Sequence, residues 1–160
     1  MPHRPLLYLE TSIFGFCLDD EPRNLLRREA VTTLLDQVRL GILNAVTSSV
    51  TLDEVDRSPE PLRQRLLVLL ESVGTIDAGK EEVERLAKAY IESGVIPEDC
   101  YDDARHVAYA TAGKADVLVS LNLRHIANER AERGIGAVNL REGYGVLRIK
   151  TPEEVLEYED

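Results

Sequence analysis

Four polar segments could carry chemistry: Glu10-Thr11-Ser12, Asp53-Glu54, Asp102-Asp103, and Asn122 with Arg124-His125. Carboxylates gathered from distant segments repel, two charges 4 Å apart by about 4 kcal/mol at an effective dielectric of 20. A hard divalent cation relieves that repulsion. Such an ion, held by a few carboxylates and waters, can orient and acidify a bound water and neutralise developing negative charge. Each acid also has an architectural role open to it. Glu10 suits a solvated strand end, and Thr51-Leu-Asp-Glu54 matches a capping box in which the glutamate returns to the N-cap amide. Asp103 suits compensation of a helix dipole.

The choice depends on the elements that carry these residues. Residues 6–9 are a short apolar run that predicts a buried strand with Glu10 at its end. Leu26, Ala30, Val31, Leu34, Leu35 and Val38 recur at helical spacing, predicting a helix over 23–40 stopped by Gly41. A second strand is expected over 42–47, then a short helix over 48–55, and a longer one over 61–73. Residues 74–77 suit a brief edge strand, and 79–92 a helix. Gly94 and Pro97 break the chain before a helix over 102–112. The best strand pattern is 116–121, followed by helix from Arg124 and a last strand over 146–149. Thr151-Pro152-Glu153-Glu154 reads as a helix start, with Thr at the N-cap and Pro at the first helical position.

On the 102–112 helix, Ala104, Val107, Ala108 and Thr111 form one apolar stripe. At about 100° per residue, Asp103 falls roughly 90° from the stripe centre and Asp102 nearly opposite it. Asp103 is thereby expected at the edge of the packed face. Asp102 and His106 are expected on the solvent side, and His125 as a packed, hydrogen-bonded histidine.

Strands that alternate with helices and are apolar throughout predict a parallel sheet covered on both faces. The expected fold is a three-layer α/β/α sandwich with about four or five strands, built as one domain over 1–160. In such sheets ligands bind beyond the carboxyl ends of the strands, where the strand order reverses. Glu10-Thr11-Ser12 and Asn122 with Arg124-His125 sit past expected strand ends, Asp53-Glu54 in the helix after the second strand, and Asp102-Asp103 at a helix start.

Composition narrows the function further. The 160 residues carry 29 acidic and 19 basic side chains, a net charge of -10. Nucleic acid therefore cannot be held by charge spread over the whole surface, because phosphate neutralisation needs clustered Lys and Arg. Arg23, Arg27, Arg28 and Arg57, with Arg124 near the expected pocket, are the candidates to guide a phosphate backbone. No apolar run approaches the roughly 20 residues that span a bilayer, and the amino terminus lacks a signal-peptide pattern, so a cytoplasmic location is expected. Cys17 and Cys100 have neither disulfide nor zinc-site spacing and are expected to be reduced thiols.

Taken in order, Tyr8-Leu-Glu-Thr-Ser-Ile-Phe14, Ser48-Ser-Val-Thr-Leu-Asp-Glu54, Asp103-Ala-Arg-His-Val-Ala108 and the 116–128 segment ending in Asn128 resemble the successive motifs of PIN-domain nucleases. VapC-type toxins of toxin-antitoxin pairs are the best-populated branch of that family. The resemblance implies metal-binding acids at Glu10, Glu54 and Asp103, with Asn122 where many members have a fourth aspartate. It places supporting hydroxyls at Thr11 and Ser12; Asn128 is a further supporting candidate, and Arg124, from its place near the pocket, the candidate to meet the substrate. The implied activity is Mg2+- or Mn2+-dependent internal cleavage of RNA. The implied partners are a second copy of the chain and a small antitoxin. The chain departs from the usual pattern in having Glu10 for aspartate and Asn122 for a charged group. A catalytically weak or inactive PIN-fold module that binds protein or RNA is the alternative, and a phosphoacceptor receiver domain is disfavoured because no aspartate ends an early or middle strand with a lysine after a late one.

Overall fold

The computed structural model describes residues 4–157. Five parallel strands form one sheet in the order β3-β2-β1-β4-β5. Strand β1, Leu6–Leu9, lies at the centre. Its side chains alternate between the two faces, Tyr8 to one and Leu7 and Leu9 to the other, and all three are buried. This is why the strand is apolar at every position.

The chain moves outward from β1 to β2, Asn44–Thr47, and β3, Gly74–Thr75, then returns across β1 to β4, Val117–Val119, and β5, Arg148–Lys150. The order thus reverses between β1 and β4, which opens a crevice at their carboxyl ends. On the Tyr8 face pack α5, Lys80–Glu92, α6, Tyr101–Ala112, and α7, Glu129–Arg141. On the Leu7 face pack α1, Thr11–Cys17, α2, Leu25–Arg39, α4, Leu62–Leu70, and α8, Pro152–Glu157. Helix α3, Ser49–Asp56, follows β2 directly and adds Val55 to this second core. The result is a three-layer α/β/α sandwich around a five-stranded parallel sheet.

Most expected elements are present, with shorter ends. Three differences bear on the site. Helix α1 occupies residues that carry no periodic signal, because seven residues interrupted by Gly15 are too few to show one. Residues after Arg124 form turns rather than helix, and α7 begins only after Asn128, whose Oδ1 accepts the Ala131 amide at 2.8 Å. Ser48 rather than Thr51 caps α3, accepting the Val50 amide at 3.2 Å, so Glu54 is released from the capping box suggested by its spacing. The Thr151–Glu154 box does form at the start of α8, with the Thr151 amide donating to Glu154 at 2.9 Å. Among the described residues no helix is long and apolar enough to cross a membrane.

Candidate functional site

Glu10 follows β1 at the crevice and is buried rather than a solvated strand end. It caps α1: its Oε2 accepts the Ser12 amide at 3.0 Å and its Oε1 the Ser12 hydroxyl at 2.6 Å. The Ser120 hydroxyl, just beyond β4, donates to the same Oε1 at 2.5 Å. Hydroxyls from both sides of the strand reversal thus offset the loss of water around this carboxylate. Ser12 also accepts the Leu121 amide at 2.9 Å, and Ser120 the Asn122 amide at 2.9 Å.

Glu54, on α3, faces α6. Its Oε1 meets His106 Nε2 at 2.6 Å and accepts the Thr11 hydroxyl at 2.8 Å. The other imidazole nitrogen, Nδ1, is 2.7 Å from the Tyr8 hydroxyl, which in turn lies 2.6 Å from Ser48 Oγ. His106 is fully buried, which corrects its expected place on the solvent side. The single-stripe geometry fails because α6 packs against α5 on one flank and meets α3 on another, and the partners Tyr8 and Glu54 make burial of the imidazole tolerable. Burial works against the Glu54 charge, but the hydrogen bond and charge of His106, with Thr11, hold the carboxyl below its ordinary range. Burial also pushes the Tyr8 hydroxyl far up, so it stays protonated.

Asp103 lies in the first turn of α6, at the edge of the packed face as its angle requires, with 20% of its side chain exposed. Its Oδ2 is 3.1 Å from His125 Nδ1. His125 stands in the turn after β4, where its amide donates to Asn122 Oδ1 at 3.1 Å. Cys100 Sγ approaches His125 Nδ1 at 3.6 Å. Among the described residues, Cys100, Asp103 and His125 are the three whose ligand atoms all lie within 4.8 Å of one another, a cluster compatible with a divalent metal. Burial, with Asp103 and Asp99 nearby, pushes the Cys100 thiol up, so the free protein holds it protonated.

One connected chain of contacts therefore runs from Glu54 through Thr11 and the adjoining Ser12 to Glu10, then through Ser120 to Asn122, His125 and Asp103. It gathers Glu10, Glu54, Asp103 and Asn122 around one end of the sheet, with Glu10 and Glu54 outside the tighter Cys100 cluster. Asn128 is engaged as the α7 cap and also donates to the Leu123 and Arg124 carbonyls. Arg124 lines a cleft of about 520 Å³ with His125 and Pro97. Two of the other arginines are engaged with acids, Arg57 with Asp102 at 3.0 Å and Arg23 with Glu21 at 2.7 Å, and Arg27 lies over the Phe16 ring. Tyr8, Ser48, His106 and Ser120 are absent from the residues expected by sequence. Ser48 and Ser120 carried a signal, since each stands beside an expected strand end as Asn122 does.

No protein-family model matches the chain, and no curated protein does. Among solved structures, the chain is similar to the crystal structure of VapBC2 from Rickettsia felis bound to a DNA fragment from their promoter. The two share 17% identity with a TM-score of 0.58, over 91% of this chain and 98% of that one. The likeness is one of fold. It extends over nearly all of both chains.

Proposed function

We propose that the chain is a metal-dependent endoribonuclease of the PIN-domain type and the toxin of a toxin-antitoxin pair. The observation that carries this reading is the contact chain joining Glu54, Glu10, Asn122 and Asp103 across the crevice between β1 and β4. The fold shared with VapBC2 supports it.

The donor set fits Mg2+ or Mn2+. Glu10, Glu54 and Asp103 are hard oxygen ligands, and among the described residues the hydrogen bonds to Glu54 fall on Oε1 and that to Asp103 on Oδ2, leaving the second oxygen of each for a cation or its water. In this proposal Glu10 and Asp103 hold the ion, with Asn122 Oδ1 as a neutral ligand. When bound, the ion supplies charge neutralisation at the phosphoryl oxygens and a more acidic water. Glu54, kept charged by His106 and Thr11, orients the attacking water and receives its proton. Thr11 and Ser12 hold the two glutamates. Arg124, beside the cleft, meets the RNA backbone, and the surplus negative charge confines binding to that small patch. Exposed Leu25 and Leu26 on α2, and Leu140 and Val146 near α7, are apolar surface suited to a second copy or to an antitoxin.

The test is cleavage of a mixed RNA panel with Mn2+ or Mg2+, alongside Glu10→Gln and Asp103→Asn. Cleavage is expected to vanish in both variants and in EDTA, and persistence in either condition would overturn the assignment. The second reading, a non-catalytic PIN-fold module, is favoured by the burial of Glu10 and the two short hydrogen bonds its Oε1 accepts. Calorimetric titration separates the two: no Mn2+ uptake at millimolar concentration supports the module.

A further inference from the structure

We infer that Cys100, Asp103 and His125 form a binding site for a thiophilic cation of the Zn2+ class, and that filling it withdraws Asp103 from the nuclease centre. The first half stands on geometry and donor chemistry alone; the second rests on the nuclease proposal.

Tetrahedral zinc holds sulfur at about 2.3 Å, imidazole nitrogen at 2.0–2.1 Å and carboxylate oxygen at 2.0–2.2 Å. At the tetrahedral angle those lengths put S and N about 3.6 Å apart and N and O about 3.3 Å apart. Cys100 Sγ and His125 Nδ1 are separated by 3.6 Å, and His125 Nδ1 and Asp103 Oδ2 by 3.1 Å. Two of the three separations thus already stand near those of a zinc tetrahedron, the third pair, Cys100 and Asp103, lies within 4.8 Å, and the fourth corner is left for water.

Local structure explains this arrangement. Cys100 is the N-cap position of α6 and Asp103 lies three residues on, so both face the same side of the first turn. His125 is brought opposite by the turn after β4, fixed by the Asn122 hydrogen bond to its amide. The cleft lined by Pro97, Arg124 and His125 gives an ion a route from solvent.

The donor set discriminates between metals. A thiolate and an imidazole are poor partners for Mg2+, which takes oxygen ligands, and good ones for Zn2+ or Co2+. On binding, the Cys100 thiol proton leaves to solvent, the imidazole passes to the tautomer protonated at Nε2, and the metal at Nδ1 replaces the Asp103–His125 hydrogen bond. Bound at Oδ2, the dication neutralises the Asp103 charge and repels a second cation at Oδ1, so Asp103 is lost to the glutamate side of the crevice.

The experiment titrates Co2+ into the reduced, metal-free full chain and follows absorbance. Expected are a near-ultraviolet thiolate-to-cobalt charge-transfer band and visible bands of tetrahedral intensity, saturating at one equivalent and bleached by Zn2+. Cys100→Ser is expected to lose the charge-transfer band and Cys17→Ser to keep it. Serine is favourable at an N-cap, so the first variant retains α6, which circular dichroism checks. No charge-transfer band in the parent chain, or a band that survives Cys100→Ser, overturns the site. In the second arm, equimolar Zn2+ is expected to abolish Mn2+-dependent RNA cleavage by the parent chain and to spare Cys100→Ser. Cleavage indifferent to Zn2+ despite a cobalt band overturns the inhibitory half. Absence of any cleavage overturns the nuclease proposal and that half with it, while the cobalt spectrum still decides the metal site.

Discussion

Two histidine–carboxylate pairs lie on either side of the crevice, His106 with Glu54 at 2.6 Å and His125 with Asp103 at 3.1 Å. The first histidine is fully buried and both its nitrogens are engaged, one by Glu54 and the other by Tyr8. The second is 23% exposed; its Nδ1 meets Asp103 at 3.1 Å and Cys100 at 3.6 Å, and its Nε2 has only a long contact of 3.9 Å to Cys100. In the first pair the protein has used all of the imidazole's bonding capacity, so its role is to hold Glu54 in place and keep it charged. In the second the capacity is only partly used, and the exposed side remains open to an ion.

The largest effects concern the carboxylates. Glu54→Gln and Asp103→Asn are each expected to lower Mn2+-dependent RNA cleavage by about a hundredfold or more in single-turnover assays. An effect confined to one carboxylate would place the chemistry on one side of the crevice only.

Stability should separate the histidines next. His106→Ala takes one buried partner from Glu54, which keeps Thr11, and one from Tyr8, which keeps Ser48, and empties a fully buried site, for a loss of about 3 kcal/mol in urea denaturation. His125→Ala removes a partly exposed contact and should cost less than about 1 kcal/mol. Equal losses would erase the contrast. An effect between these two is expected on the turn that carries His125: Asn128→Ala removes the α7 cap at a cost of about 1 kcal/mol, read from the same denaturation curves.

The smallest effect is in the pH dependence. Burial disfavours the Glu54 charge, but His106 and Thr11 outweigh it and set the folded pKa below the unfolded one. A lowered folded pKa contributes stability that is fully present above the ordinary glutamate value of about 4.3 and is lost as pH falls through the lower folded value. Urea midpoints collected from neutral pH into that acid window should therefore fall less steeply for Glu54→Gln than for the parent chain. Identical slopes would mean that His106 does not stabilise the glutamate charge.

The legible parts of the molecule were those governed by local pattern. Leu6–Leu9, the long amphipathic α2, the Thr151–Glu154 cap and the alternation of helix and strand follow from apolar spacing and turn chemistry. Helix α1 was not legible, being short and stabilised by packing of Ile13 and Phe14 rather than by periodicity. His106 was misplaced for a related reason. A helical wheel assumes one buried side, whereas α6 has neighbours on more than one.

The sequence by itself determined the α/β/α class, the parallel sheet and the candidate acids, Glu10 past a strand end, Glu54 in the helix after β2 and Asp103 at a helix start. These are consequences of residue type and spacing along the chain. The tertiary structure alone decided which groups share a hydrogen bond. It set Tyr8 and His106 behind Glu54, Ser120 against Glu10, and His125 between Asp103 and Cys100. Those partners lie up to 110 residues apart, and strand order and helix packing, which no local spacing encodes, bring them together.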